Sequence, residues 1–298
     1  MFFEHREFWI PKDAGHPEEY QDAFECDPKQ GVAALADGVS SSLFSGSWAR
    51  LLVRGVVRER FDVGDSAQRL AWLNERRQAW RDPINPQALS WHQKPKFQAG
   101  AQATLVWLEL TRAEAGFQLR CYAVGDSCLF QVNDNQVQRA FPLEDSRLFS
   151  ENPQVLASVA QANDEQSSIL LFEDECPFGQ MLVLCSDALA AWAITELEHG
   201  RNPDWERQWS MSLEDWRDWI TELRAANQIR YDDTTVLLLR LTADPASRKP
   251  PVVEQEPIVI DTHPAEAGDA TSSPEESTFL EHIHARLSKL PGWRRSRY

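Results

Sequence analysis

Short apolar runs that end in an aspartate are the feature that most restricts how this chain can fold. The run Val32-Ala33-Ala34-Leu35-Ala36 is followed directly by Asp37 and Gly38. It has the length of a strand and no polar side chain, which is typical of a strand buried on both faces. A carboxylate at the end of such a strand is costly to bury unless a cation meets it. Asp-Gly also ends many ordinary strands in a turn, so this motif alone leaves both interpretations open.

The same arrangement recurs along the chain. Further acids lie at an end of an apolar run at Asp22, Asp126, Asp187 and Asp232. With Asp37, they are spread over more than two hundred residues. Strands that converge would bring these acids into one oxygen-rich pocket, which prefers Mg²⁺ or Mn²⁺ over softer metals. Gly38 is expected to let the backbone turn there and to leave its carbonyl facing the same pocket.

Six short motifs carry a resemblance to a known family. They are Gln21-Asp22-Ala23-Phe24, Ala36-Asp37-Gly38, Ala103-Thr104-Leu105-Val106, Gly125-Asp126-Ser127, Ser186-Asp187 and Asp232-Asp233-Thr234-Thr235. Their order is that of the type 2C, metal-dependent Ser/Thr protein phosphatases. From about His16 to about Leu241 the chain resembles a divergent bacterial branch of that family.

The resemblance implies a centre of two Mg²⁺ or Mn²⁺ ions at these aspartates. Asp37 would bridge the two ions and position the attacking water, and the Gly38 carbonyl would serve one ion. Asp187 and Asp232 would hold the other ion. Asp22 would lie in or near the inner shell of ligands. The implied reaction is hydrolysis of phosphoserine and phosphothreonine esters by a metal-activated water.

The chain departs from the family pattern at two positions that bear on the site. Asp126 matches an aspartate that can hold a third, weaker ion, but the acid that would assist it is replaced by Ala191. An arginine that grips substrate phosphate in many members is replaced by Pro17. The adjacent His16 could take that role, although a single histidine in a loop is more often simply solvated.

The order of predicted elements favours an α+β fold, because strands and pairs of helices do not alternate as in βαβ units. The resemblance sharpens this to an α-β-β-α sandwich of two antiparallel sheets flanked by helices. A helix capped by Ser45 or Ser47 is predicted to run to about Arg60. A second helix follows Asp65 or Ser66, with Arg77 among its largely outward residues.

Three other stretches have specific predictions. Ala101–Leu110, Gly116–Val124 and Cys128–Val132 read as consecutive antiparallel strands. The stretch 82–98 contains three prolines and reads as a loop. Residues 143–179 read as polar and irregular, the position of a variable flap in the resembled family.

Composition excludes some classes of function. The net charge of −16 disfavours nucleic-acid binding, and with it a metal-dependent nuclease. No apolar run approaches the length of a membrane span, and the N-terminal residues are too acidic for a signal peptide. Five cysteines without a Cys-x-x-Cys pair argue against a disulfide framework or a zinc site. A cytoplasmic location is therefore expected.

The composition changes after Thr242. Residues 1–242 are predicted to form the catalytic domain, and 243–277, rich in Pro, Glu, Ser and Thr, a disordered linker. Residues 278–298 are predicted to form a short amphipathic basic helix or tail. Between Glu254 and Glu281 there are eight acids and no lysine or arginine, whereas Arg286–Arg297 contains five basic residues and no acid.

The sequence leaves two functions open. The first is a metal-dependent phosphatase that acts on phosphorylated proteins, such as a Ser/Thr kinase or its substrates. The second is a catalytically weak domain that keeps the fold as a binding or regulatory module. Retention of Asp37, Asp187 and Asp232 favours the enzyme, since a binding module has no need of so costly a charge cluster.

Overall fold

Two five-stranded antiparallel sheets form the centre of the computed structural model of this chain, which describes residues 1–149, 153–161 and 169–242. The first sheet has the strand order β1-β12-β11-β7-β8 and the second the order β10-β6-β5-β3-β2. Two short strands, β4 and β9, pair separately. The strands are β1 Phe3–Ile10, β2 Ala23–Asp27, β3 Val32–Ala36, β4 Gln102–Ala103, β5 Leu105–Ala113, β6 Gly116–Val124, β7 Cys128–Asn133, β8 Gln136–Phe141, β9 Leu156–Ala157, β10 Leu170–Pro177, β11 Met181–Cys185 and β12 Thr234–Leu241.

Helices cover the outer face of each sheet. The helices are α1 Ser45–Arg58, α2 Ser66–Arg81, α3 Gln93–Ala99, α4 Asp187–Glu198, α5 Trp205–Ser210 and α6 Leu213–Ala225. Helices α1 and α2 pack on the second sheet, and α4, α5 and α6 pack on the first. The result is the α-β-β-α sandwich expected from the sequence. None of the helices in the described residues combines the length and apolar composition needed to cross a membrane.

The central strands explain why their sequences are continuously apolar. In β3, Ala33 and Leu35 face the layer between the two sheets, whereas Val32, Ala34 and Ala36 face α1. Strands β11 and β12 alternate in the same way between the inter-sheet layer and the α4–α6 layer. Because both faces are buried, every position favours an apolar residue, and polar groups are displaced to the strand ends.

The prediction of three consecutive antiparallel strands is wrong for the third one, Cys128–Val132. Strands β5 and β6 are antiparallel neighbours, but β7 leaves that sheet and pairs with β11 and β8 in the other one. The chain crosses between the sheets at Gly125, whose φ of +99° lies in the left-handed region. A side chain there would also collide with Thr104, 2.6 Å from an added Cβ. The crossing places Asp126 between the two sheets.

Two segments predicted to be irregular each contain a regular element in the structure. Helix α3 occupies the end of the proline-rich stretch, and Pro95 lies in its first turn, where a missing N–H removes no helical hydrogen bond. Strand β10 forms an edge of the second sheet, pairing with β6. Its outer side is largely exposed, which explains its polar composition.

The polar surroundings of the first two helices differ from the prediction. Phe44, in the left-handed conformation, precedes α1, and neither Ser45 nor Ser47 caps it. Ser45 is instead packed against Gly38. Asp65 caps α2 as predicted. Arg77, expected to point outward, is buried and donates a hydrogen bond of 3.0 Å from Nε to the carbonyl of Ala157. The predicted linker and C-terminal helix lie outside the described residues.

Candidate metal centre

The predicted site residues lie at one edge of the sandwich because antiparallel pairing brings strand starts and ends together. Asp22 precedes β2 and Asp37 follows β3, and these strands pair with Ala23 opposite Ala36. Asp187 follows β11 and Asp232 precedes β12, and these strands pair with Cys185 opposite Val236. The crossing at Asp126 completes the set. We call Asp22, Asp37, Asp126, Asp187 and Asp232 the acid cluster.

The backbone around Asp37 is fixed from both sides. Its carbonyl accepts a hydrogen bond of 2.9 Å from the Thr104 N–H, and its N–H donates to Thr104 Oγ1 at 3.3 Å. A Cβ on Gly38 would lie 2.7 Å from the carbonyl oxygen of Gln21 and 3.0 Å from Ser45. Gly38 is not among the glycines with a left-handed φ. It is therefore required for close packing of three backbone segments, rather than for the sharp turn expected from the sequence.

Like charges crowd the Asp37 carboxyl. Burial raises its pKa well above the ordinary value, and the remaining causes, all in the same direction, are the negative charges of Asp22, Asp187, Asp232 and Asp126. The pKa of Asp187 is also raised, first by burial and then by the charge of Asp232. Acids from five separated points of the chain thus interact electrostatically at one place, and a bound cation would relieve their repulsion.

Asp22 and Asp126 are the most deeply buried members of the acid cluster. Asp22 is 1 % exposed, and its Oδ2 accepts a hydrogen bond of 2.6 Å from Thr235 Oγ1. Burial, followed by the charge of Asp233, raises its pKa well above the ordinary value. Asp126 is 4 % exposed, and burial together with the charge of Asp187 raises its pKa to about 7. Keeping either carboxyl group ionised therefore costs electrostatic free energy.

The neighbouring acid Asp233 has a different environment, which sequence reasoning missed. Its Oδ1 accepts a hydrogen bond of 2.6 Å from the Lys12 N–H, and its Oδ2 accepts one of 2.7 Å from the Gln21 N–H. It therefore ties the segment after β1 and the segment before β2 to the start of β12. In the sequence, nothing but its place beside Asp232 distinguishes this structural role.

Two cations contact the acid cluster, and neither was identified from the sequence. Arg230 Nη1 lies 3.2 Å from Asp187 Oδ2, and its Nη2 donates to the carbonyl of Phe149. Lys12 Nζ lies 3.5 Å from Asp232 Oδ1. The only sequence signal for Arg230 is its position two residues before Asp232. Both side chains are more than 40 % exposed, so they lie at the rim of the site rather than inside it.

His16 is not brought into the acid cluster. It lies in an exposed loop before a single 3₁₀ turn, Pro17–Glu19. Its Nδ1 is 3.2 Å from Glu18 Oε1, and this hydrogen bond raises its pKa above the ordinary value. The charges that act on it come from Asp13, Glu18 and Glu19, not from the acid cluster.

The donor set fits a hard divalent ion. One oxygen of Asp22 and one of Asp187 are buried and accept no hydrogen bond of good geometry within the described residues. Oxygen ligands of this kind are those that Mg²⁺ and Mn²⁺ prefer. In the same residues, no three acid, histidine or cysteine side chains are already arranged as ligands of one ion. The ion pairs with Arg230 and Lys12 turn two of the carboxylates toward cations of the chain itself.

Solved structures of similar fold include a photosystem II phosphatase and serine/threonine phosphatases. The photosystem II phosphatase PBCP is 16 % identical, with a TM-score of 0.52, over 81 % of this chain and 100 % of its own. The catalytic domain of the serine/threonine phosphatase PstP, solved with two manganese ions, is 16 % identical, with a TM-score of 0.50, over 81 % and 99 %. Stp1 from Staphylococcus aureus is 18 % identical, with a TM-score of 0.50, over 81 % and 96 %.

The family comparison covers most of the chain. No curated protein sequence matches it. Residues 15–234, which include every member of the acid cluster, match the family model described as Protein phosphatase 2C. The chain therefore belongs to the protein phosphatase 2C family, the metal-dependent protein phosphatases that its motifs resemble.

Proposed function

We propose that this chain hydrolyses phosphoserine and phosphothreonine in proteins with two Mg²⁺ or Mn²⁺ ions held by the acid cluster. Asp37 would bridge the ions, the Gly38 carbonyl would serve one, and Asp187 and Asp232 would hold the other. The observation that carries the proposal is the convergence of five acids at paired strand ends, where the charges of the other four act on the buried Asp37 carboxyl group. An inactive module would gain nothing from this repulsion.

The chain's own residues supply positioning and charge. When bound, two divalent ions lower the pKa of a water and neutralise charge on the transferred phosphoryl group. The Thr104 hydrogen bonds fix the Asp37 backbone. The Thr235 hydroxyl holds one oxygen of Asp22, and Tyr20 in turn lies 2.5 Å from that hydroxyl. Such supporting hydrogen bonds keep the ligating oxygens in place.

The third ion and the substrate phosphate are supported less directly. Asp126 is the proposed ligand of a weak third ion, and Ala191 supplies no second carboxylate on α4. His16 is the phosphate-binding residue proposed from the sequence, but its pairing with Glu18 weakens that role. Lys12 and Arg230 are cations nearer to the acids, and either can donate hydrogen bonds to a phosphate.

Substrates and location follow from the same proposal. We expect phosphorylated proteins as substrates, among them a Ser/Thr kinase or the proteins it modifies. The five cysteines are all free, and four of them are buried, which supports a reducing compartment such as the cytoplasm. We assign catalysis to residues 1–242, and the linker 243–277 and tail 278–298 to other roles.

The test is phosphate release from a phosphothreonine peptide by the full chain. Activity should be present with Mn²⁺ or Mg²⁺, absent in EDTA, and restored when Mn²⁺ is added in excess. Asp134→Asn, in the exposed β7–β8 turn, is the matched control for loss of one negative charge and should behave as the unchanged chain. A folded chain with no metal-dependent turnover would instead favour the binding-module alternative.

A further inference from the structure

A trough between helices α5 and α6 has an apolar floor and an acidic rim. Met211 and Trp219 line its floor, and Asp215, Asp218 and Glu222 line its rim, around a cavity of about 430 Å³. We call this cavity the α5–α6 trough. A second cavity of about 180 Å³ continues from it and shares Met211 and Trp219. The residues that line the trough, on α5, α6 and the connection between them, are exposed or half-buried.

The rim acids have no cationic partner among the ion pairs of the described residues. Within the described residues, the Asp215 carboxylate accepts a hydrogen bond of 2.7 Å from the hydroxyl of Ser212, the residue that caps α6. Arg207 is the one basic residue that lines the trough in the described part of the chain. Three exposed carboxylates against one guanidinium leave the trough negative. A partly buried tryptophan under such a rim suits a basic, amphipathic segment.

The described chain ends close to this trough. Strand β12 ends at Leu241, and the side chain of Arg240 reaches α5, where it pairs with Glu206 and lies 4.3 Å from the centre of the Trp209 ring. Trp209 is two residues before Met211 in the trough floor. The chain past Thr242 therefore continues from a point two residues after a side chain that contacts α5.

The sequence of that continuation complements the trough. Its last part, Arg286–Arg297, contains the basic residues Arg286, Lys289, Arg294, Arg295 and Arg297 and no acid, and Glu281 is the one acid within 278–298. The apolar residues of the same segment, Phe279, Ile283 and Leu287, are spaced four residues apart. At this spacing a helix would present its apolar side chains on one face. That face matches Met211 and Trp219, and the basic residues match the rim.

We propose that residues 278–298 of the same chain dock in the α5–α6 trough. The 35 intervening residues, 243–277, span about 30 Å as a flexible chain, which is long enough to return the following residues to the helix α5 that Arg240 contacts. A tether of this kind gives an effective concentration on the order of 1 mM. An intrinsically weak contact, with a dissociation constant of about 1 mM, would then be half occupied.

Photo-cross-linking of the full chain tests the proposal. A photoreactive phenylalanine in place of Ser210, which is exposed on α5 and lines the trough, should cross-link to a peptide within 278–298. Mixing the chain with isotope-labelled chain should show that the link forms within one molecule. The same photoreactive residue in place of Gln78, exposed on α2 on the other face of the sandwich, should give no such product.

Charge neutralisation sharpens the test. Asp215→Asn, Asp218→Asn and Glu222→Gln together should reduce the cross-link yield at least fivefold, and 0.5 M NaCl should reduce it likewise. The control set Glu75→Gln, Asp82→Asn and Glu114→Gln removes equal charge from exposed sites elsewhere and should leave the yield unchanged. The proposal would be overturned if no product with 278–298 formed, or if the product formed only between two chains. It would also be overturned if the cross-link yield did not fall when the rim acids are neutralised.

Discussion

Asp232 and Asp233 are consecutive acids with opposite surroundings. Asp233 is 7 % exposed and receives two backbone N–H groups, from Lys12 and Gln21. Asp232 is one of four acids whose charges act on Asp37, and its Oδ1 lies 3.5 Å from the exposed Lys12 ammonium and accepts a hydrogen bond of 3.0 Å from the Asp233 N–H. Loss of the Asp233 carboxylate would leave two backbone N–H groups without their acceptor in a buried place, whereas carboxylates that repel each other are retained at a cost. The difference distinguishes an acid that ties backbone segments together from the acids that we propose as metal ligands.

The same substitution at the two kinds of acid should have opposite effects. Asp37→Asn should lower phosphopeptide turnover with Mn²⁺ by about 10³-fold or more, because a neutral amide cannot bridge two dications and the lost stabilisation is worth several kcal/mol. In EDTA, the same variant should unfold at a higher denaturant concentration than the unchanged chain, since one repelling charge is removed. Initial rates and urea unfolding measure the two effects. Near-normal turnover would show that Asp37 is not a ligand of the metal centre.

Asp233→Asn should destabilise the chain instead. The amide has one acceptor oxygen, so one of the Lys12 and Gln21 N–H groups would face an N–H₂ group in a buried place. The expected loss in the free energy of unfolding is about 2 kcal/mol, with or without metal. Urea unfolding in EDTA compares it directly with Asp37→Asn. If both variants shift stability in the same direction, the distinction between the two kinds of acid fails.

Asp126 allows a finer comparison within the acid cluster. If Ala191 leaves a third ion without a second carboxylate, Asp126→Ala should lower the initial rate at saturating Mn²⁺ by only about tenfold. Asp187→Ala, which removes a proposed ligand of the main centre, should cost far more in the same assay. Equal losses would show that Asp126 holds an essential ion or has a partner of equal importance.

Arg230 should give the smallest change in stability. The Arg230 side chain is 44 % exposed and its pair with Asp187 is screened by solvent, so Arg230→Gln should cost less than about 1 kcal/mol of unfolding free energy in EDTA. Because Asp187 would lose a competing cation, Mn²⁺ should bind several-fold more tightly by calorimetry. Arg120→Gln, which breaks the exposed pair with Glu173 on the second sheet, is the control and should leave Mn²⁺ affinity unchanged. A weaker Mn²⁺ affinity in Arg230→Gln would contradict this account.

Much of the fold could be predicted because a strand that is buried on both faces has a continuously apolar sequence. The runs at β3 and β11 are apolar throughout since both faces are covered, and the acids at their ends were identifiable for that reason. The pairing of β7 was not predictable, because it depends on a left-handed Gly125 that moves the chain between sheets. A half-exposed edge strand such as β10 has too little apolar pattern to be recognised.

The sequence predicted which acids form the candidate site, but not which residues each of them contacts. Asp37, Asp187 and Asp232 could be identified because each ends or precedes an apolar run. The different surroundings of Asp232 and Asp233 could not be predicted, because the N–H groups that bind Asp233 come from residues 12 and 21. The burial of Arg77 was missed for a similar reason, because its acceptor, the Ala157 carbonyl, lies 80 residues away in sequence.

The most direct test of the central claim is a crystal of the full chain soaked in Mn²⁺, with anomalous scattering recorded at the manganese edge. The account predicts two anomalous peaks that share the Asp37 carboxylate, one of them also contacting Asp187 and Asp232. The Asp37→Asn chain, soaked in the same way, should lose at least one of these peaks. Manganese peaks that lie away from Asp37, or none at the acid cluster at all, would contradict the assignment of this cluster as the metal centre.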